Sequence, residues 1–278
     1  MIISVASGKG GTGKTTIATN LALSLDGQVQ FFDCDVEEPN AHIFLKPHIT
    51  KTKIFGTPVP LVDKTQCTYC GKCGEICQYH AIVVIKENVL VFPELCHSCG
   101  GCWLVCPENA ISQTEREVGV IEQGTVQGME FYHGKLRIGE ALSPPLIRAV
   151  KKYIDPSKIV IIDAPPGTSC PVIESVKRSD FVLLVTEPTP FGLNDLVLAV
   201  EVVRALQIPC GVVVNRSDIG DRRVQEYCQR ENIPVLMEIK NDRKIAEAYS
   251  NGIPLVEVFP EYKDRFLSLY KEIERRVK

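Results

Sequence analysis

Gly8-Lys9-Gly10-Gly11-Thr12-Gly13-Lys14-Thr15-Thr16 satisfies the P-loop pattern and follows an apolar run, Ile2–Ala6. Glycines in such a turn let backbone N–H groups converge on phosphate oxygens, aided by the positive end of the helix that follows. Lys14 is placed to neutralise β- and γ-phosphates, and the Thr15 hydroxyl to ligate Mg²⁺. Carboxylates follow two further apolar runs: Asp33 and Asp35 after Val29–Phe32, and Asp163 after Ile159–Ile162. A second chemistry lies between them. Eight of the 12 cysteines form two runs of equal spacing, Cys67-x₂-Cys70-x₂-Cys73-x₃-Cys77 and Cys96-x₂-Cys99-x₂-Cys102-x₃-Cys106-Pro107. Reduced thiolates at these intervals are metal ligands; a disulfide framework belongs to secreted chains with small cores.

The elements that must position these groups are legible. Ile2–Ala6, Val29–Phe32, Ile159–Ile162, Phe181–Val185 and Gly211–Val214 read as buried parallel strands, with helices such as Thr15–Leu25 and Leu193–Leu206 between them. This alternation predicts right-handed βαβ units and a sheet covered on both faces. Alternation puts Asp33 and Asp35 on the same side of an extended segment. The rhythm breaks between about Pro58 and Ser112. Pro58 and Pro60 read as an exit linker, and Thr114–Gly139 as strands and turns re-entering the parent domain.

The cysteine spacing is that of bacterial two-cluster ferredoxins, in which three thiolates of each run and the fourth of the other hold one [4Fe–4S] cubane. Cluster A then takes Cys67, Cys70, Cys73 and Cys106, and cluster B takes Cys77, Cys96, Cys99 and Cys102. Zinc needs only four ligands and leaves the triple C-x₂-C-x₂-C interval unexplained. Gln78 departs from the proline that usually follows the fourth cysteine. His97 and Trp103 read as packing or hydrogen-bonding neighbours. Cys34, Cys170, Cys210 and Cys228 are scattered and read as small buried residues.

The stretch KGGTGKTT resembles the deviant Walker A motif of the MinD/ParA group of P-loop ATPases. With DCDVEEPN, DAPPGT and the two cysteine runs, almost the whole chain is similar to members of that superfamily containing an inserted two-cluster ferredoxin domain. The resemblance implies an α/β fold: a P-loop NTPase with a mainly parallel sheet covered by helices on both faces, plus a small inserted ferredoxin-like α+β domain. The expected boundaries are 1–62 and 113–278 for the ATPase domain and 63–112 for the insertion. It also implies that Lys9 reaches the nucleotide of a partner subunit in an ATP-dependent dimer, as homodimer or with a paralogue. By the same resemblance Asp35 positions or deprotonates the attacking water, Asp33 supports the Mg²⁺ shell and Asp163 holds it. The Gly167 N–H senses the γ-phosphate, and the Asn215 amide pairs with adenine. Asn215-Arg216-Ser217-Asp218 lacks the lysine of a guanine-specific motif, so ATP over GTP rests on the resemblance.

Three purposes fit: ATP-gated electron transfer or redox-coupled cofactor work with an unidentified redox or target protein, iron–sulfur cluster carriage, and a positioning switch. Carriers of the superfamily use a C-x-x-C pair in the ATPase body, which the four scattered cysteines do not supply. Lys plus Arg number 31 and Asp plus Glu 34, so no basic excess points to nucleic acid. No apolar run approaches the roughly 20 residues of a membrane span. The chain opens without a basic n-region or cleavage site, and a reducing cytoplasm is expected. Tyr262, Phe266, Leu269, Tyr270, Ile273 and Val277 share one helical face, for which packing on the sheet is a simpler use than membrane targeting.

Overall fold

A computed structural model describes residues 1–25 and 27–277. The chain begins with β1 (Ile2–Ala6), α1 (Lys14–Ser24), β2 (Val29–Asp33), α2 (Ala41–Leu45) and β3 (His48–Val62). Then come α3 (Lys72–Ile76), β4 (Ile82–Ile85), β5 (Asn88–Val91), α4 (Gly101–Leu104), β6 (Ile111–Val126) and β7 (Met129–Leu136). The remainder holds α5 (Pro144–Val150), β8 (Ile159–Asp163), α6 (Cys170–Val176), β9 (Phe181–Thr186), α7 (Pro190–Ala205) and β10 (Cys210–Asn215). It closes with α8 (Arg223–Arg230), β11 (Val235–Ile239), α9 (Arg243–Ser250), α10 (Leu255–Val258) and α11 (Glu261–Val277).

The main sheet runs β11-β10-β9-β1-β8-β2-β7-β6-β3. From β11 to β7 every pairing is parallel. Its central strands are buried and mostly apolar, because both faces are covered. Successive residues serve two cores. Ile3, Val5, Leu183 and Val213 pack with Ile17 and Leu21 of α1 and with Phe266, Leu269 and Ile273 of α11. Val182, Leu184, Val212 and Val214 pack instead with Leu196 and Val200 of α7 and Tyr227 of α8. The apolar stripe of α11 is thus absorbed by the sheet, with Tyr262, Tyr270 and Val277 against the same core. Among the described residues no helix is long and apolar enough to cross a membrane.

Two expectations are corrected. Pro58 and Pro60 lie inside β3, not in a linker. β3 is the edge strand, where a missing N–H costs no ladder bond on the open side. Asp33 and Asp35 do not lie on one extended segment: β2 ends at Asp33 and the chain turns there, burying Asp33 completely and leaving Asp35 partly exposed, with both carboxylates still facing Lys14. The 114–139 stretch forms most of the β6–β7 hairpin, whose two turn residues, Gln127 and Gly128, both have positive φ (49° and 84°), matching the twist of paired strands.

The chain divides into two compact units. The larger comprises Met1–Lys53, Ile121–Lys135 and Ser143–Lys278, and the smaller Ile54–Val120 and Leu136–Leu142. Within the smaller, the β4–β5 hairpin and the short helices α3 and α4 surround a core of Cys73, Ile82, Val89, Cys102 and Ile111.

Candidate functional site

The phosphate loop owes its shape to β1, which delivers Ser7, and to α1, which starts at Lys14. Gly11 and Gly13 take φ of 81° and 90°, a region that disfavours side chains. A cavity of about 440 Å³ opens over this loop, lined by Lys9, Gly10, Gly11, Gly13, Lys14, Thr15 and Thr16, and by Asp35, Pro166 and Asn215. Gly8 and Thr12 belong to the same loop without facing the cavity. Gly8 is pressed against α7, where a Cβ would lie 2.1 Å from the Asp195 carbonyl oxygen.

Charge is concentrated at the loop's end. Lys14 Nζ is 3.1 Å from Asp163 Oδ1 and 4.0 Å from Asp35 Oδ2, with little of the lysine exposed. Burial works against the ammonium, yet Asp163, Asp35 and Asp33 outweigh it and hold its pKa above the ordinary value. Burial, and the Asp163 charge next, push Asp33 well above the usual carboxylate range. Asp35 is pushed up to about 6 by burial, although Lys14 opposes the shift. Three carboxylates thus face one lysine, an excess of negative charge at the end of the loop.

The carboxylates differ in what they hold. Asp33 Oδ1 accepts the Asp35 N–H at 3.1 Å, while Oδ2 accepts the N–H groups of Asn40 and Ala41 at 3.1 and 3.0 Å. It therefore braces the turn after β2 and the start of α2. Asp163 Oδ2 is buried without a hydrogen-bond partner, a group with capacity for a cation's water shell. The Gly167 N–H donates to Ser7 O at 2.9 Å, so contact with a phosphate requires that bond to open. Asn215 Nδ2 donates to Thr12 O at 2.9 Å, and its Oδ1 accepts the Arg216 N–H at 3.0 Å. Each half of the amide keeps one further position for a ligand.

Sequence reasoning missed the far wall, which includes Glu38, Asn40, Asn241, Asp242 and Tyr249. Asn241 and Asp242 follow the carboxyl end of β11, the position where open α/β sheets bind ligands; that signal was available. Tyr249 reaches the wall only through α9, where its ring lies 4.9 Å from that of Phe44 in α2.

The eight clustered thiols separate into two sets. Cys67, Cys70, Cys73 and Cys106 line one cavity, and Cys77, Cys96, Cys99 and Cys102 line another. The two runs fold alike. Tyr69 and Ser98 have φ of 57° and 55°, Gly71 and Gly100 have 85° and 84°, and His80 and Asn109 have 52° and 51°. The Ala81 N–H donates to Cys77 Sγ and the Ala110 N–H to Cys106 Sγ, each at 3.3 Å, and the Ser98 N–H donates to Cys96 Sγ at 3.4 Å. Backbone donors aimed at sulfur, and soft sulfur ligands around an apolar pocket, fit an iron–sulfur cluster. Among the described residues no group of three or more His, Cys, Asp or Glu converges as a single-ion site. The Tyr79 and His97 rings stack at 3.6 Å beside the second set.

Of the four scattered cysteines, Cys34 and Cys228 are buried and Cys210 partly so, but Cys170, expected to be buried, is exposed at the first position of α6. Burial pushes the Cys34 thiol up to about 12, an unreactive state.

Residues 3–255 match the family model described as the CobQ/CobB/MinD/ParA nucleotide binding domain. An uncharacterized protein of Methanocaldococcus jannaschii is 35% identical over 99% of this chain and 96% of its own length. An iron-sulfur cluster carrier protein of Pyrococcus horikoshii is 26% identical over 98% of this chain and 87% of its own. Among solved structures, the septum site-determining protein MinD of P. horikoshii, complexed with Mg-ADP, superposes with a TM-score of 0.62 at 20% identity, covering 98% of this chain and 95% of that one.

Proposed function

The chain belongs to the CobQ/CobB/MinD/ParA nucleotide-binding family, and from that premise we propose that it hydrolyses ATP slowly and couples nucleotide state to an inserted two-cluster ferredoxin unit. The observation that carries this reading is the pairing, in one chain, of a complete phosphate loop with two matching thiol-lined cavities.

In the ATPase part, Lys14 binds the β- and γ-phosphates in exchange for its contacts with Asp163 and Asp35. Thr15 and Asp163, with Asp33 behind, complete the Mg²⁺ environment; the P. horikoshii MinD holds Mg-ADP. Asp35 lines the cavity with a pKa pushed up to about 6, near enough to neutrality to orient and accept a proton from water. Asn215, beside Gly13, takes the base. Lys9 lines the cavity mouth and completes the site of a second subunit in the ATP state.

In the smaller unit, Cys67, Cys70, Cys73 and Cys106 hold cluster A, and Cys77, Cys96, Cys99 and Cys102 hold cluster B. When bound, such clusters supply one-electron redox chemistry. The residues' part is to donate thiolates, direct backbone N–H groups at sulfur and surround each pocket with apolar side chains. A partner of suitable redox chemistry or a cofactor target completes the function.

Cluster carriage is the second reading, favoured by the P. horikoshii relative's name. Resident clusters are better supported here, since Cys73 and Cys102 are buried in the small unit's core.

The test is anaerobic purification, iron analysis and redox titration by EPR without nucleotide, with ADP and with a non-hydrolysable ATP analogue. About eight irons per chain and a potential shift near 59 mV, a tenfold differential in a one-electron couple, are expected. Transfer of the iron to an apo-ferredoxin on ATP addition would favour carriage; unchanged potentials and retained iron would sink the coupling.

A further inference from the structure

Resting on that coupled reading, we propose that Glu37 is a positioning residue that carries nucleotide state from the phosphate cavity to the cysteine-bearing unit through its hydrogen bond to Ser143.

The turn after β2 borders the cavity: Asp35 and Glu38 line it, and the Glu38 N–H donates to Asp35 O at 3.2 Å, closing residues 35–38 into one turn. This turn has two grips on α5. The first is apolar. Val36, 1% exposed, converges with Leu146 and Val150 on Gly134, where a Cβ would lie 2.8, 3.0 and 3.1 Å from their side-chain carbons. The second is polar: Ser143 Oγ donates to Glu37 Oε1 at 2.8 Å.

That hydrogen bond is not required by either end. Glu37 is exposed, so packing does not demand an acid there. Ser143 occupies the N-cap position of α5, yet its side chain makes no cap bond. The hydroxyl is buried and given instead to a carboxylate, a charge-assisted bond that ties two segments distant in sequence.

Ser143 is the residue at which the chain leaves the smaller unit, whose last segment is Leu136–Leu142. One peptide bond back, the Leu142 N–H donates to Glu140 Oε1 at 3.3 Å. Glu140 forms a two-pronged ion pair with Arg116, with side chains only 1% and 10% exposed. Glu140 holds the guanidinium pKa above its ordinary value, and Glu94 and Cys96 lie near enough to add to the effect. Cys96 belongs to the second thiol set. A path of hydrogen bonds and covalent bonds therefore runs from the turn at Asp35 through Glu37, Ser143, Leu142, Glu140 and Arg116 to the neighbourhood of a ligand thiolate. Cluster potentials respond to nearby charge and to hydrogen bonding at sulfur. Movement of the turn on γ-phosphate binding alters the field that Arg116 places on Cys96, and linkage requires that cluster charge act on nucleotide affinity in return.

The experiment uses the full chain with clusters loaded. Potentials are titrated by EPR with and without the ATP analogue for wild type, Glu37→Ala, Ser143→Ala and Glu37→Gln. Hydrogen exchange of residues 136–143 is followed in parallel in the cluster-free chain, which needs no redox signal. Wild type is expected to shift by a tenfold differential, about 59 mV, and to change exchange in that segment. Glu37→Ala and Ser143→Ala should keep both clusters and bind the analogue, yet lose most of the shift and the exchange change. Glu37→Gln, which keeps an acceptor oxygen, should retain them. An intact shift in both alanine variants overturns the role of Glu37 while leaving coupling standing. Loss of clusters or of nucleotide binding in both also overturns it, since the bond would then be holding the fold. A wild type without any shift removes the coupled reading and this inference together.

Discussion

Gly13 and Asn215 meet with no room between them: a Cβ on Gly13 would lie 2.4 Å from Asn215 Nδ2, and that nitrogen donates to the Thr12 carbonyl at 2.9 Å. The phosphate loop is thus fixed from β10, the strand that ends at Asn215. Gly13→Ala meets both the clash and a φ of 90°. The expected cost is about 1–3 kcal/mol of stability. ADP affinity should fall with it. Urea unfolding and calorimetric titration check this; a variant as stable and as tight-binding as wild type would show that the loop relaxes freely.

Lys14 neutralises part of the charge of Asp163, Asp35 and Asp33, and those three carboxylates in turn raise its pKa. Lys14→Met should abolish hydrolysis and also destabilise the nucleotide-free protein by roughly 3–5 kcal/mol near pH 7, the cost of leaving buried carboxylates unpaired. The loss should shrink in acid. Asp35 already has a folded pKa near 6 against an ordinary 3.8, so the folded state binds more protons in that window and stability falls as pH rises through it. Without the lysine the window widens upward. Denaturant midpoints at pH 5 and pH 8 measure the difference; equal losses at both would refute the electrostatic account.

How far the sequence reaches depends on how local the information is. The phosphate loop was legible because strand, glycines, Lys14-Thr15 and helix are consecutive. The two thiol sets were legible because the runs repeat the same turns 29 residues apart, as the paired φ values of Gly71 and Gly100 show. For Asp33 and Asp35 the reasoning by alternation did not apply, because alternation holds only while a strand continues and β2 stops at Asp33; a turn instead brings both toward Lys14. The early part of β3 was not anticipated: Lys51, Thr52, Lys53 and Ile54 are exposed on an edge strand and carry no apolar alternation. Tyr249 and Glu38 meet at one cavity through tertiary packing alone, which no spacing encodes.

The division of thiols predicts how iron is lost. Cys106→Ala removes a member of the first set although it lies in the second run, and Cys77→Ala does the converse. Each variant should lose about four of roughly eight irons. Cys106→Ala should disturb the signal of the cluster held by Cys67, Cys70 and Cys73, and leave the other. Iron analysis with EPR on each variant decides it. A pattern in which Cys106→Ala disturbs the cluster of Cys96, Cys99 and Cys102 would mean that each run serves its own site.

A substitution at Gly134 is expected to separate nucleotide binding from turnover. It lies in β7, where Val36, Leu146 and Val150 close over it, and a Cβ would come 2.8 Å from Val36 Cγ1. Gly134→Ala overpacks this point at a cost of about 1–3 kcal/mol and pushes the 35–38 turn outward. Asp35 moves with that turn, whereas the phosphate loop is built on other elements. ADP affinity should therefore change little, while kcat drops at least tenfold, about 1.4 kcal/mol in the barrier. Val36→Ala in the same chain removes the clashing methyl and should recover part of both stability and turnover. Calorimetric ADP titration and steady-state ATPase rates on the single and double variants test the assignment. A Gly134→Ala protein that loses ADP affinity and turnover in proportion would mean that the turn and the phosphate loop respond as one body, and that Asp35 has no separate role in the chemical step.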